Sequence, residues 1–178
     1  RRVDDLLAAC GIDGRRPMVT INPVALWETK LWLNDRFAVL ADRLISVLAV
    51  DVVFTGGAAE RSMIDEIRGQ MHQWTGDLYG RTTMIMLSAL FQPSSLLVTT
   101  DTGPLHLCAA VDTPVVALFG PTAPWRTGPY GRGHRVIRTA PSCSPCFKRK
   151  CDHHQCRCMQ DISVEMVLDG VTQVLSRQ

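Results

Sequence analysis

Several features that would place this 178-residue chain quickly are missing from it. Aromatic residues make up only 6% of the chain. No apolar run approaches the ~18 to 20 residues that a membrane-spanning helix needs, because Asp, Arg or Pro interrupts the longest candidates. Behind Arg1-Arg2-Val3-Asp4 there is no charged, apolar, small-residue succession of a signal peptide, and there is no initiator Met. A soluble piece of a longer protein is the expectation. The Gly-x-Gly-x-x-Gly fingerprint is also absent, which disfavours a NAD-type dehydrogenase. Neither sign of charge dominates, with 19 basic against 17 acidic side chains. A hydrophobic share of 46% with 20% charged residues is too apolar for a disordered tail, and collagen-like or low-complexity classes are excluded. At this length a single domain spanning 1–178 is the default.

Two of these totals hide structure. From Pro121 to Cys158 there are eight basic residues, among them Arg126, Arg132, Arg135, Arg138 and Arg149, and one acid, Asp152. That segment carries +7, so the remainder of a chain of net +2 carries −5. Five of the seven cysteines (Cys143, Cys146, Cys151, Cys156, Cys158) also fall there, within 16 residues. The stretch 121–162 therefore reads as a Pro/Gly-, Arg- and Cys-rich loop region set into the domain.

Elsewhere apolar runs of strand length alternate with segments of helical period. Met18–Asn22, Asp51–Thr55, Ser95–Thr100 and Thr113–Gly120 read as buried strands, with a short piece at Leu78–Gly80 and an edge strand at Arg135–Arg138. Between them Phe37, Leu40, Ala41, Leu44, Ile45 and Leu48 form one stripe of a helix that Asn34-Asp35 can cap. Further helices are predicted over Ala58–Gln73, Thr83–Gln92, Gly103 to about Val111, and from a cap at Asp161 or Ser163 to Leu175. Right-handed crossovers wind such an alternation into an α/β, doubly wound parallel sheet of Rossmann-like type. Ligands of these sheets bind at the carboxyl ends of the strands, so the strand-to-helix turns are where chemistry is expected.

In the turn Thr100-Asp101-Thr102-Gly103-Pro104-Leu105-His106, Gly103 admits close approach of a ligand and Pro104 suits a first helical turn. Such a helix start attracts phosphate, and Asp101 can either cap the helix or accept hydrogen bonds from sugar hydroxyls. His106 can face the same crevice or simply pack. Lys30, between Trp27 and Trp32, is a point charge for a diphosphate or an ordinary surface lysine. Gly56-Gly57 with Glu60 has the backbone freedom for a nucleotide and an acid for ribose.

Taken in order, these pieces resemble the ADP-heptose:lipopolysaccharide heptosyltransferases, bacterial glycosyltransferases of GT-B architecture with two facing Rossmann-like domains. The matching segments are Asn22-Pro23 through Lys30-x-Trp32, Val53-Phe54-Thr55-Gly56-Gly57 with Glu60, Gly80-Arg81-Thr82-Thr83, Thr100 to Leu107, and Pro114 to Thr122. All belong to the C-terminal, donor-binding half, covering about residues 18 to 175. The resemblance implies that Lys30 contacts the diphosphate of ADP-heptose and Glu60 the ribose. It puts Arg81 near the adenine, and Asp101, Thr102, Gly103 and Pro104 on the sugar and phosphates, with His106 nearby. It places no catalytic residue in this chain, since the family's base lies in the N-terminal half, and it requires no cofactor. It also implies a cytoplasmic enzyme at the inner face of the inner membrane, adding heptose to the lipopolysaccharide core. In the first turn, however, Ala25-Leu26 stand where the family usually has small hydroxyl residues.

Three states are open to the cysteine cluster: reduced thiols, a structural zinc held by Cys143, Cys146, Cys151 and Cys158 with Cys156, His153 and His154 as spare ligands, or a disulfide. The basic segment lacks a regular basic helix or interleaved stacking aromatics, so nucleic acid is not the expected partner. An anionic lipopolysaccharide acceptor held by Arg132, Arg135 and Arg138 fits better. Two other readings stand beside the first. One is a GT-B transferase or epimerase with another nucleotide sugar, and the other is a non-catalytic, zinc-stabilised binding module.

Overall fold

A computed structural model describes residues 2–153 and 155–177. The chain opens with α1 (Arg2–Ala9), and then β1 (Met18–Asn22) leads through a short 3₁₀ turn at Glu28–Lys30 into α2 (Asn34–Leu48). After β2 (Asp51–Phe54) a second 3₁₀ turn at Ala58–Glu60 runs into α3 (Arg61–Gly69). There follow β3 (Gly76–Asp77), α4 (Met84–Phe91), β4 (Leu96–Thr100), α5 (Gly103–Ala110) and β5 (Val115–Phe119). The one-turn α6 (Pro124–Thr127), β6 (Arg135–Arg138), the one-turn α7 (Arg157–Gln160) and α8 (Val164–Leu175) complete the chain.

The six strands form a single sheet in the order β3-β2-β1-β4-β5-β6, and every neighbouring pair is parallel. Strands β1, β4 and β5 are buried at every position, which is why they read as continuous apolar runs. Alternate side chains feed two cores. Val19, Ile21, Val52, Phe54, Val98 and Leu118 face α2, α3 and α8. Val53, Leu97, Val115, Ala117 and Phe119 face α1, α4 and α5. Side chains of period two on strands and of period three to four on helices are what make this two-faced burial possible.

Some boundaries differ from the sequence expectation. The long helix expected from Ala58 to Gln73 is a 3₁₀ turn followed by nine helical residues ending at Gly69. The short strand pairs with β2 at Gly76–Asp77 rather than at Leu78–Gly80. Asn34 lies inside α2, and Leu33 takes the cap position without a side-chain bond. Ser163, one of the two caps expected for the last helix, accepts from the Met166 amide.

Because the sheet order reverses between β1 and β4, the crossover helices diverge there and leave a crevice above the ends of those strands.

Candidate functional site

A cavity of about 510 Å³ opens at this switch point. Its wall includes Lys30 from the β1–α2 loop, Glu60 from the turn after β2, and Asp101, Thr102, Gly103 and Pro104 at the β4–α5 junction. Six residues read from separate turns thus share one crevice, large enough for a nucleotide-sized ligand. The other two expected residues do not line it. His106 is exposed on the first turn of α5, and Arg81 is exposed in a turn held beside the crevice by the Gly80 amide, which donates to Gly56 O at 2.8 Å.

Local packing fixes where Lys30 sits. Thr29 Oγ1 donates to Lys148 O at 2.7 Å on one side. On the other, the buried Trp32 donates through its indole to Ile162 O at 2.9 Å and meets Phe37 edge to face. Between these anchors Lys30 Nζ lies 2.8 Å from Asp101 Oδ2 and 4.5 Å from the Trp27 ring centroid. The pair is largely withdrawn from water, with side-chain exposures of 15% and 6%. Thr127 Oγ1 donates to the same carboxylate oxygen at 3.2 Å.

Of the two roles open to Asp101, capping α5 is not the one it takes: Thr102 occupies the cap position without a side-chain cap bond, and its hydroxyl meets Thr99 Oγ1 at 3.4 Å. Asp101 instead neutralises Lys30, so the two opposite charges expected to meet different parts of a ligand hold each other. Pro104 has no N–H, and the Leu105 amide is taken up by Thr102 O at 3.2 Å, so the amides at the head of α5 belong to Thr102 and Gly103. A Cβ added to Gly103 would meet no protein atom within 4 Å and would project into open space. Gly57, by contrast, is tight, since a Cβ there would fall 2.6 Å from Glu60 Oε2.

Three further contributors are not evident as site residues from the sequence. Trp27 stands three residues before Lys30, a spacing that is a legible signal of the contact its ring makes. Thr127 had no local signal. Asn22 ends β1 with its amide donating to Thr55 O and Thr55 Oγ1, while its own Oδ1 is buried without a partner among the described residues.

The cysteine cluster forms a second cavity of about 460 Å³, with Cys143, Cys146, Cys151, Cys156 and Cys158 all on its wall. Backbone amides of Cys156 and His153 hold the Cys151 thiol below its ordinary pKa. Burial, followed by the neighbouring Cys151, pushes Cys156 up to about 11. Burial, followed by Cys146, does the same for Cys158. Cys108, in the core, is pushed by burial up to about 12. All seven cysteines are free, and among the described residues no three Cys, His, Asp or Glu side chains stand as a metal-holding group. The four thiols of the zinc alternative thus line one cavity, and among the described residues they form no metal-holding group. His154 lies outside the described residues.

The basic trio expected to hold an acceptor is divided. In the parallel pairing of β5 with β6, Arg138 stands beside Phe119 at the carboxyl end and Arg135 beside Val116 near the amino end. Arg132 lies two residues before His134, whose ring accepts from the Val115 amide at the start of β5. Only Arg138 of the three is on the side of the crevice.

Among the described residues no helix is long and apolar enough to cross a membrane. Residues 3–156 match the family model described as Glycosyltransferase family 9 (heptosyltransferase). Lipopolysaccharide heptosyltransferase 2 of Salmonella typhimurium is 29% identical over 172 residues, which cover 94% of this chain and 49% of that protein. Among solved structures, ADP-heptose lps heptosyltransferase II of E. coli superposes with a TM-score of 0.84 at 26% identity, over 99% of this chain and 51% of that one. A glycosyl transferase of family 9 from Veillonella parvula superposes with a TM-score of 0.87 at 24% identity, over the same shares. The chain spans about half the length of the curated relatives it matches.

Proposed function

We propose, from the premise that this chain belongs to glycosyltransferase family 9, that it is the half of a heptosyltransferase that binds the nucleotide-sugar donor, ADP-heptose, for transfer to a lipopolysaccharide core. The observation that carries this reading is the single crevice at the topological switch point with Lys30, Glu60, Asp101, Thr102, Gly103 and Pro104 on its wall. Glu60 then meets the ribose hydroxyls, and Arg81, one turn beyond the crevice, flanks the base. The head of α5 and Lys30 meet the diphosphate.

The chemistry asks two things of the protein. A sugar hydroxyl of the acceptor attacks the anomeric carbon of heptose and loses a proton, and the bond to ADP breaks as negative charge grows on the diphosphate. Stabilising that charge suits an ammonium group and helix-start amides already fixed in place. Diphosphate entry redirects Lys30 from Asp101, and Asp101, still held by Thr127, is left to accept from the heptose hydroxyls. The general base comes from the other half of the enzyme, so this half binds donor weakly and does not turn over by itself.

A thermal-shift panel of ADP-heptose, ADP-glucose, UDP-N-acetylglucosamine and free ADP on the complete enzyme tests the assignment. The expected result is stabilisation by the two adenine nucleotide sugars and by ADP, strongest for ADP-heptose. Preferential stabilisation by the uridine nucleotide would replace this reading with that of a transferase or epimerase of another nucleotide sugar.

A further inference from the structure

The carboxyl-end surface beyond the donor crevice carries three arginines that the donor site leaves unused. Arg126 lies over the Phe147 ring at 5.4 Å, Arg138 over Trp125 at 5.3 Å and Arg149 over Trp27 at 5.4 Å. Among the described residues, the ion pairs found use other side chains, and no carboxylate neutralises these three guanidinium groups. Arg138 Nε is also buried without a hydrogen-bond partner among those residues. Trp125 is 72% exposed and Tyr130 91% exposed, a large aromatic area for the surface of a chain with few aromatics.

These groups are tied to the crevice by the chain itself. Within the single turn of α6, Thr127 reaches inward to Asp101 while Trp125 and Arg126 face outward. Phe147 is held by its amide, which donates to Pro121 O at 2.8 Å. Trp27 belongs to both places, carrying Lys30 on the crevice side and Arg149 as its second cation.

We infer that this ledge binds a phosphorylated saccharide, the acceptor of the transfer proposed above, and the inference rests on that reading. Guanidinium groups fixed by aromatic faces present planar forks to phosphate oxygens, and exposed indole and phenol rings pack against the C–H faces of sugars. Charge complementarity selects the occupant: Arg126, Arg138 and Arg149 present three positive charges that no carboxylate among the described residues neutralises, and the lipopolysaccharide core is a polyanionic saccharide.

The test uses the complete enzyme with deacylated core oligosaccharide, either phosphorylated or enzymatically dephosphorylated. In the Arg126→Gln/Arg138→Gln variant, KM for the phosphorylated acceptor should rise about tenfold or more, the loss expected of charged hydrogen bonds. Its salt dependence should flatten, while KM for the dephosphorylated acceptor and affinity for ADP stay as in the parent. Trp125→Ala should raise KM for both acceptors. An unchanged KM for the phosphorylated acceptor, with ADP affinity intact, overturns the ledge and leaves the donor assignment standing. Loss of sedimentation with anionic phospholipid vesicles at unchanged acceptor KM also overturns it, in favour of lipid headgroups. A parent enzyme that binds no ADP would instead overturn the donor assignment itself.

Discussion

Lys30 and Asp101 are 71 residues apart in sequence, yet they form the best-buried ion pair of the described residues that have charges at the crevice. Withdrawing two charges from water is costly, and mutual attraction offsets that cost only when both partners are present. The Lys30→Ala variant should therefore lose about 3 kcal/mol or more of stability in urea denaturation, because it strands the Asp101 carboxylate. Replacing both, as Lys30→Met/Asp101→Leu, should restore most of the lost stability while leaving ADP binding as weak as in the single variant. Recovery of neither property would mean that the pair is not the stabilising unit described here. This coupling was not legible in the sequence. Each residue could be assigned to a ligand from its own turn, but their proximity depends on the β1–β4 register and on the Thr29 and Trp32 anchors.

Elements were legible in proportion to how much of their surface is buried. Strands β1, β4 and β5, covered on both faces, announced themselves as apolar runs, and α2 and α8 as stripes of period three to four. The two-residue β3 carries no periodicity, so the sequence pattern puts it two residues late. The one-turn helices α6 and α7 carry too few residues for a period, yet one reaches the crevice and the other braces the end of β5. The Thr127 contact comes from α6. From α7, Met159 and Cys158 pack against Gly120, where a Cβ would meet the Met159 sulfur at 2.5 Å and Cys158 Sγ at 3.0 Å. The same glycine's carbonyl accepts from Ser144 Oγ at 2.6 Å, tying the cysteine-rich loop to the end of β5. Gly120→Ala should cost about 1–3 kcal/mol through overpacking against the buried Met159. In a double-mutant cycle with Met159→Ala, part of that loss should be recovered. Strictly additive losses in chemical denaturation would show that the two do not touch in the way described.

For the whole molecule, an α/β sheet with a central reversal of strand order leaves a crevice where the crossover helices part, and the sequence supplies lysine, carboxylates and a glycine-led helix start at its rim. The fold was readable because it follows from burial patterns repeated over many residues. The site was readable only in part, because its residues come from turns whose meeting point is set by topology. The charge distribution follows the same logic. A segment of +7 reads as one basic patch, but the parallel course of β6 divides it, leaving Arg138 beside the crevice and Arg135 toward the amino ends of the strands. On the proposed reading, the open space in front of Gly103 receives the donor's diphosphate. Isothermal titration of ADP into the complete enzyme and its Gly103→Ala variant tests it most directly, since the added methyl meets no protein atom within 4 Å and should leave the melting temperature unchanged or slightly raised. The expected result is one saturable ADP site whose affinity falls about tenfold or more in the variant, the cost of losing the close approach to the α5 amides. Equal affinity in the two proteins, or no ADP binding by the parent, would contradict it.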